Sequence, residues 1–312
     1  MLVYDILNNF KEVTDDLDIN KSHYWIQIHV KELDKIKHIL ALDEESIAEC
    51  IDDRQPSKIS FFDGYTFLVL NILYYDKETV YSKELNIFLS KDYIITVYKD
   101  DLDIIQELIS DIKDSRNCFI LREKPQPCIL FYYILDRIIV RNYDVISCFE
   151  AEGDRIEISI LKSPNHEQVD DLIHLRRQMY KIRKYLNPLR YIGDSLQIND
   201  NSIIEIENLR YFYNLNIKID KLMLASETLV QDLALVREAF ESEIANKTNE
   251  LMKVFTLIAT IFLPLNLICS MYGMNLKHIP FVSIDYGYYY VLIIMLIIAI
   301  YLIYKFKKKR WL

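Results

Sequence analysis

Residues 246–275 read NKTNELMKVFTLIATIFLPLNLICSMYGMN, and this stretch decides how the rest of the chain is organised. No formally charged residue lies between Lys253 and Lys277. About 20 apolar residues, rising about 1.5 Å each, are enough helix to cross a hydrocarbon layer of about 30 Å. A second uncharged run, residues 286–304, follows after a short loop. The pattern predicts two membrane-spanning helices at the C-terminal end of a 312-residue chain.

The first predicted span carries a polar stripe along one side. At about 100° per residue, one set of residues falls within roughly 60° of a single line on the helix. These residues are Asn249, Met252, Thr256, Ala259, Leu263, Asn266 and Ser270. The opposite arc is apolar and contains Val254, Leu257, Ile258, Ile261, Leu265 and Ile268. An amide such as Asn266 is costly against lipid, so we expect the stripe to face protein or water.

The stripe has two interpretations. One helix cannot enclose a water path, but several copies around an axis can, which predicts a pore in an oligomer. In the other interpretation, the hydroxyl groups only bond back to their own helix or join two helices. A single hydroxyl favours the second interpretation, whereas a complete stripe that ends in Gly-Met-Asn favours a pore.

Composition argues against several classes of protein. The net charge of −9 argues against nucleic acid as a partner, because phosphates demand a basic face. The sequence has no phosphate-binding glycine loop, G-x-S-x-G or H-E-x-x-H motif, so we predict neither a nucleotide site nor an enzyme. Its five cysteines are scattered without C-x-x-C, which predicts a reducing cytosol around the body. The first residues lack the pattern of a signal peptide.

The charges that flank the two spans predict their orientation. Basic residues precede the first span and follow the second, at Lys247, Lys253, Lys305, Lys307, Lys308, Lys309 and Arg310. Lys and Arg are enriched on the cytoplasmic side, so both termini are predicted in the cytoplasm of a multi-pass protein of the cell membrane. The basic tail has either this topological role alone or a second one, as a ring of positive charge at the inner mouth of a pore.

The first 201 residues predict a mixed α/β body. Strand patterns cover residues 24–30, 58–62, 65–73, 85–89 and 93–98, and a helix is expected over residues 32–50. Further helices are expected over residues 104–113, 129–150 and 167–186. Breaks are predicted at Asn187-Pro188 and around residues 193–201.

One helix on the order of 100 Å long is predicted over residues 202–274, which contain Pro264 and no glycine before Gly273. A heptad-like seam runs along it, at Leu215, Ile219, Leu222, Leu229, Leu233, Val236 and Phe240. The seam could pack against copies of itself or against its own domain.

The predicted fold class is therefore an α+β (α/β) cytoplasmic domain, a very long stalk helix and two C-terminal transmembrane helices. The domain boundaries are residues 1–201 for the cytoplasmic domain, 202–253 for the stalk and 254–312 for the membrane domain. Within the membrane domain, the parts are a first span (254–274), an outer loop (275–286), a second span (287–304) and the basic tail (305–312).

The C-terminal third resembles the CorA family of magnesium channels. The residues that carry the resemblance are P-L-x-x-I-x-x-x-Y-G-M-N ending at Asn275, the upstream N-K-T-N-E-x-M-K, and the tail Y-K-F-K-K-K-R-W-L. Weaker similarity extends through the body at residues 61–65 and 85–89. The resemblance implies a homopentameric funnel in the lipid bilayer that passes divalent cations, Mg²⁺ first. Co²⁺ and Ni²⁺ are the other expected ions, because their hydrates are similar in size.

The resemblance also implies where the ion binds. Asn275 and Gly273 would form an outer selectivity site, with Tyr272, Met274 and Pro264 supporting the motif. Mg²⁺ holds its water tightly, so neutral oxygen acceptors that contact its hydration shell suit it.

Further in, the family's gate falls on two apolar residues, Met252 and Phe255. A narrow apolar neck holds no water, so a hydrated dication cannot pass it. The other predicted pore-lining residues are Asn249, Ala259, Leu263 and Asn266. The family commonly has Thr at the position of Asn266.

Regulation by cytoplasmic Mg²⁺ is implied through carboxylates that meet between subunits. The matching acids are Asp103 and Glu238, with Asp100 and Asp220 nearby. The helix partner expected for Asp103 falls on Asn214, which is neutral, and Glu207 or Asp220 could replace it. In the outer loop, Lys277 and Phe281 stand where relatives often have acids.

Two alternatives stay open. One is a zinc transporter of the same superfamily, with or without proton coupling, although such relatives usually alter the Met of Gly-Met-Asn. The other is a membrane-anchored sensor or scaffold whose spans only tether it.

Overall fold

The computed structural model describes residues 1–13, 21–37, 39–52, 55–76, 78–274, 280 and 286–309. Contacts divide the chain into two compact units. The first unit consists of Met1–Ser159 and Asn165–Arg237, and the second of Ile160–Pro164 and Glu238–Leu312. The three-part division at residues 201 and 253 stays a prediction.

A seven-stranded sheet, counted over the described residues, organises the first unit. The strands are β1 (Leu2–Asp5), β2 (Lys11–Glu12), β3 (Tyr24–His29), β4 (Lys58–Phe62), β5 (Tyr65–Asp76), β6 (Thr79–Leu89) and β7 (Tyr93–Tyr98). Their order is β2-β1-β3-β7-β6-β5-β4, and β3 and β7 pair in parallel while the other neighbours are antiparallel. A turn at Asp63-Gly64 closes the β4–β5 hairpin, with Gly64 at a φ of 83° that favours glycine.

Helices make up the rest of the described chain. They are α1 (Asp34–Lys37), α2 (Glu44–Ile51), α3 (Asp103–Lys113), α4 (Phe119–Glu123), α5 (Pro127–Lys162), α6 (Glu167–Ile198), α7 (Leu209–Tyr272) and α8 (Gly287–Lys308). The mixed α and β content and the single long helix confirm the predicted fold class.

The helix predicted over residues 32–50 is interrupted. Ala41 has a left-handed φ of 47°, and α2 begins only after Asp43. The Tyr65 hydroxyl accepts a hydrogen bond from the Asp43 backbone N–H (3.1 Å) and donates one to the Asp43 carboxylate (2.8 Å). The sheet therefore anchors the start of α2, which sequence periodicity could not reveal.

The break predicted at Asn187-Pro188 is wrong, because Pro188 lies inside α6. An internal proline costs about 3 kcal/mol or more. Its neighbours Leu186, Leu189 and Ile192 are fully buried, and each contributes roughly 1.5–3 kcal/mol by burial, which outweighs that cost. The helix ends instead at Ile198, where Asn199 adopts a left-handed conformation.

The seam on α7 packs against the chain's own helices. Leu215, Ile219, Leu222, Leu229, Leu233 and Val236 are all buried within the single chain. A Cβ placed on Gly153 of α5 would lie 3.3 Å from Leu233, and one on Gly193 of α6 would lie 3.0 Å from Ile219. The seam is thus covered within the first unit, and its interpretation as a contact between copies is wrong for these residues.

The second unit holds the two apolar helices. Over the described residues, two helical segments, Ile206–Tyr272 and Gly287–Lys308, are long and apolar enough to cross a membrane. Almost none of the apolar window in either segment is buried, which distinguishes both from the core helix of a soluble protein.

We expect Gly193→Ala to destabilise the chain, because the added methyl would overlap the Asn216 side chain and press on Ile219. Overpacking of this kind costs about 1–3 kcal/mol. Gly153→Ala is the matched control: its methyl makes one tight contact with Leu233, while alanine favours the helix by about 0.5–1 kcal/mol. Unfolding of the full chain in detergent measures both. Equal unfolding temperatures for the two variants would contradict the close approach of α6 and α7.

Candidate functional site

The polar stripe predicted on the first span lies on an exposed face of α7. All seven of its residues are exposed in the single chain, including Met252 at 59% and Leu263 at 67%. The less exposed face carries other residues, of which Leu257 is buried and Ile261, Pro264, Leu265, Ile268 and Tyr272 are partly exposed. Four of the six residues of the predicted apolar arc lie on this face, whereas Val254 and Ile258 of that arc are exposed.

The other apolar helix lies beside the C-terminal end of α7. Cys269, Tyr272 and Gly273 line a cavity of about 530 Å³ together with residues of α8. The residues of α8 are Gly287, Tyr288, Val291, Leu292 and Met295. The cavity is largely apolar, and no residue of the polar stripe lines it.

The hydroxyl and amide groups of the stripe differ in their bonding. Thr256 donates to the Met252 carbonyl oxygen, and Thr260 beside the stripe donates to that of Thr256, each at 2.7 Å. These two hydroxyls bond back to their own helix, as the second interpretation predicted. In contrast, the side chains of Asn266 and Ser270 have no hydrogen-bond partner among the described residues. The Asn266 amide is the group that cannot face hydrocarbon without cost.

The predicted outer site lies at the C-terminal end of α7. Gly273 donates to the carbonyl oxygens of Cys269 (3.0 Å) and Ser270 (3.2 Å), and the Tyr272 hydroxyl donates to the Pro280 carbonyl oxygen (2.9 Å). Gly273 does not adopt the left-handed conformation, so the helix ends here without a backbone geometry that favours glycine. Pro264 lies within the helix, and Met274 is exposed. Asn275 lies outside the described residues, as do Lys277 and Phe281.

An open groove extends the exposed face of α7 toward its N-terminal side. Glu243, Asn246, Asn249, Glu250 and Met252 line it together with Lys253 and Thr256. The sequence interpretation missed the two glutamates, although their seven-residue spacing places them on one side of a helix. Phe255, the second predicted gate residue, is 66% exposed in the same part of α7.

The strongest predicted regulatory acid, Asp103, is the first residue of α3, and its carboxylate is held by other residues of the first unit. Its Oδ1 accepts hydrogen bonds from the Tyr74 hydroxyl and from the Ile104 backbone N–H (3.1 Å). Its Oδ2 accepts one from the Arg141 guanidinium. Partial burial raises the pKa of Asp103, but the Tyr74 hydrogen bond and the Arg141 charge outweigh it and lower this pKa below its usual value. Burial is the main cause that raises the pKa of Tyr74, and the hydrogen bond to the Asp103 carboxylate raises it further.

The other predicted acids do not join Asp103 in a ligand cluster. Asp220 pairs with Arg190 (3.5 Å), Asp100 is exposed, and Glu238 is an exposed residue of the second unit. Glu207 pairs with Lys124 (3.2 Å), and Asn214 is exposed. Over the described ranges, no three His, Cys, Asp or Glu side chains converge as a metal site would require.

Comparison with known proteins places the chain in a family. The family model described as CorA-like Mg²⁺ transporter protein matches residues 20–308. The chain belongs to the CorA family. The cobalt/magnesium transport protein CorA of Thermotoga maritima is 31% identical over 268 residues, covering 85% of this chain and 76% of that protein.

Two solved structures have a similar fold. The complete CorA magnesium transporter of Methanocaldococcus jannaschii superposes with a TM-score of 0.83 at 20% identity, covering 100% of this chain and 98% of that one. Full-length CmaX superposes with a TM-score of 0.74 at 18% identity, covering 99% and 97%. CmaX of Pseudomonas aeruginosa is described as a divalent cation transporter and is 22% identical over 231 residues, 73% of this chain and 67% of CmaX. The chain is accordingly a membrane transporter of this superfamily, which handles divalent cations, and not an enzyme.

Proposed function

We propose that this chain is the subunit of a passive channel through which hydrated Mg²⁺ enters the cytoplasm down its electrochemical gradient. The observation that carries the proposal is the exposed stripe on α7, where the Asn266 amide lacks a partner on a helix that otherwise suits a membrane. Copies of α7 around an axis would turn this stripe toward a water path. The proposed assembly is the homopentamer of the resembled family, in the cell membrane with both termini in the cytoplasm.

The proposed outer site uses Asn275 side chains and Gly273 carbonyl groups, repeated around the axis. Water bound to Mg²⁺ is a strong hydrogen-bond donor, and amide oxygen is a neutral acceptor. Such a ring would contact the hydrated ion without stripping its water, which Mg²⁺ gives up reluctantly. The Tyr272 hydroxyl bond to Pro280 supports the backbone just before and after this motif.

The proposed gate lies at Met252 and Phe255, where a ring of apolar side chains would exclude water. Both side chains are more than half exposed in the single chain, so they are available to face other copies. Asn249, Ala259, Leu263 and Asn266 would line the path beyond it. Glu243 and Glu250 lie in the groove next to Met252 and would favour cations at the cytoplasmic mouth.

The proposed regulation places cytoplasmic Mg²⁺ between subunits, where it bridges Asp103 and Glu238 with help from acids such as Asp100 or Asp220. Bridged subunits would hold the gate closed, and low Mg²⁺ would release them.

Ion preference separates this proposal from its nearest alternative. The intact Gly-Met-Asn motif favours Mg²⁺ as the transported ion. CmaX is described more broadly, as a divalent cation transporter, so other dications stay candidates. We expect proteoliposomes to take up Mg²⁺, and Co²⁺ and Ni²⁺ as well. Uptake of Zn²⁺ without Mg²⁺, with or without a proton gradient, would reverse the assignment. Absence of any dication flux from a folded, reconstituted protein would favour a membrane-anchored sensor or scaffold.

We expect Asn275→Ala to reduce Mg²⁺ uptake to the leak of protein-free liposomes, because the ring of amide oxygens is lost. Thr256→Val is the matched control within the stripe: the Thr256 hydroxyl is already bonded to the Met252 carbonyl, so most of the flux should remain. Wild-type flux in Asn275→Ala would remove the outer site from the mechanism.

We expect Met252→Ser to leave the channel conducting at an internal Mg²⁺ concentration that closes the wild type, because a hydroxyl ring wets the neck. Val254→Ser, on the opposite arc of the same turn, makes an equally polar change away from the proposed path. Flux measured against internal Mg²⁺ tests both. A Met252→Ser channel that closes like the wild type would place the gate elsewhere.

A further inference from the structure

The contacts of Asp103 reveal a departure of this chain from a simple metal-sensing carboxylate. Asp103 and Arg141 come from α3 and α5, and their ion pair uses the oxygen that the Tyr74 hydroxyl leaves free. Tyr74 belongs to β5, so two helices and the sheet meet at this carboxylate. Both oxygens of Asp103 already accept hydrogen bonds within one subunit.

Two positively charged side chains, those of Arg141 and Lys83, lie over the ring of Tyr74. The Arg141 guanidinium lies 5.7 Å from the centre of the Tyr74 ring, and the Lys83 Nζ lies 5.1 Å from it. Lys83 is fixed by a hydrogen bond to the Asp101 carbonyl oxygen (2.7 Å), two residues before Asp103. A divalent cation that approaches Asp103 therefore meets two positive side chains.

We propose that Arg141 is a tethered competitor for the divalent cation at Asp103, and that it raises the internal Mg²⁺ concentration needed for closure. The inference rests on the proposed function, in which Mg²⁺ between subunits binds Asp103. Arg141 and the metal would use the same Oδ2 atom, so one must leave before the other binds.

The contact is exposed enough to open. The Asp103 side chain is 46% exposed and that of Arg141 29% exposed, and ion pairs near water contribute little to stability. Arg141 also lies 3.5 Å from Glu107, one helical turn after Asp103 on α3. When a cation takes Asp103, Glu107 can retain the guanidinium, so the exchange does not leave Arg141 without a carboxylate.

The test uses the purified full chain in nanodiscs and two readouts against Mg²⁺ concentration, protection from limited proteolysis and flux in liposomes. Arg141→Gln should lower the Mg²⁺ concentration for half-protection and half-closure by about two- to fivefold, the range that a weak exposed ion pair allows. Tyr74→Phe should lower both in the same direction by less, since it removes the hydroxyl donor and keeps the ring that stacks on Tyr81.

Arg137→Gln is the matched control for charge. Arg137 lies one turn before Arg141 on α5 and pairs with Asp111 (2.6 Å) at the other end of α3. The Arg137→Gln substitution removes one positive charge from α5, as Arg141→Gln does, but it leaves the contacts of Asp103 unchanged. An equal shift in Arg137→Gln would mean that total charge sets the Mg²⁺ response, which overturns the competition.

The Asp103→Asn background separates this inference from the proposed function. Asp103→Asn alone should raise the Mg²⁺ concentration for half-protection, and Arg141→Gln should then add no shift in the double variant. If Asp103→Asn shifts the response but Arg141→Gln does not, or shifts it upward, the competition is wrong and the regulatory site stands. If Asp103→Asn has no effect while Mg²⁺ still protects, regulation at Asp103 fails, and the inference with it. If the wild type carries no flux, the proposed channel itself fails.

Discussion

The cost of a polar side chain in hydrocarbon is the constraint on which the rest of this structure depends. An amide that cannot find a partner in lipid costs several kilocalories per mole, so a span that carries Asn266 must turn that side toward protein or water. In the single chain, α7 covers one face and leaves the Asn266 face open. In the proposed assembly, other copies of the chain would cover this face or enclose water against it. The Thr256 and Thr260 hydroxyls impose no such demand, because their own helix satisfies them.

The buried seam and the exposed polar stripe lie on different sides of α7. Phe240 is buried, and Asn249, the first residue of the polar stripe, is exposed nine residues later. At about 100° per residue, nine residues amount to about two and a half turns, so the stripe begins on the side opposite the buried one. Earlier along α7, Leu215 to Val236 pack against the chain's own α5 and α6, and the glycines of those helices permit the close approach. Contacts between copies of the chain must accordingly use surfaces other than this seam.

Local patterns predicted much of this fold, and long-range contacts decided the rest. The strands β4 and β7 fall on the residues that alternation indicated, and the long helix follows from a stretch without breakers. The short strands β1 and β2 were missed because so few residues form no periodic pattern. Pro188 and Gly193 were interpreted as breaks, since nothing local reveals that Leu189 is buried or that Asn216 lies against the glycine.

In the candidate site, too, local patterns predicted some features and long-range contacts decided the others. The stripe depends only on helical periodicity, so its exposed position could be predicted. The Asp103–Arg141 pair joins residues 38 positions apart, and the Tyr74 contact joins residues 29 apart through the sheet, so no motif could indicate either. Asn214 supplies no charge where the family resemblance expects an acid, and Arg141 neutralises the acid that is present. In the proposed regulation, both departures would weaken cation binding at this site. A sensor built this way would respond at higher internal Mg²⁺ than one with two free carboxylates, although its pore could conduct unchanged.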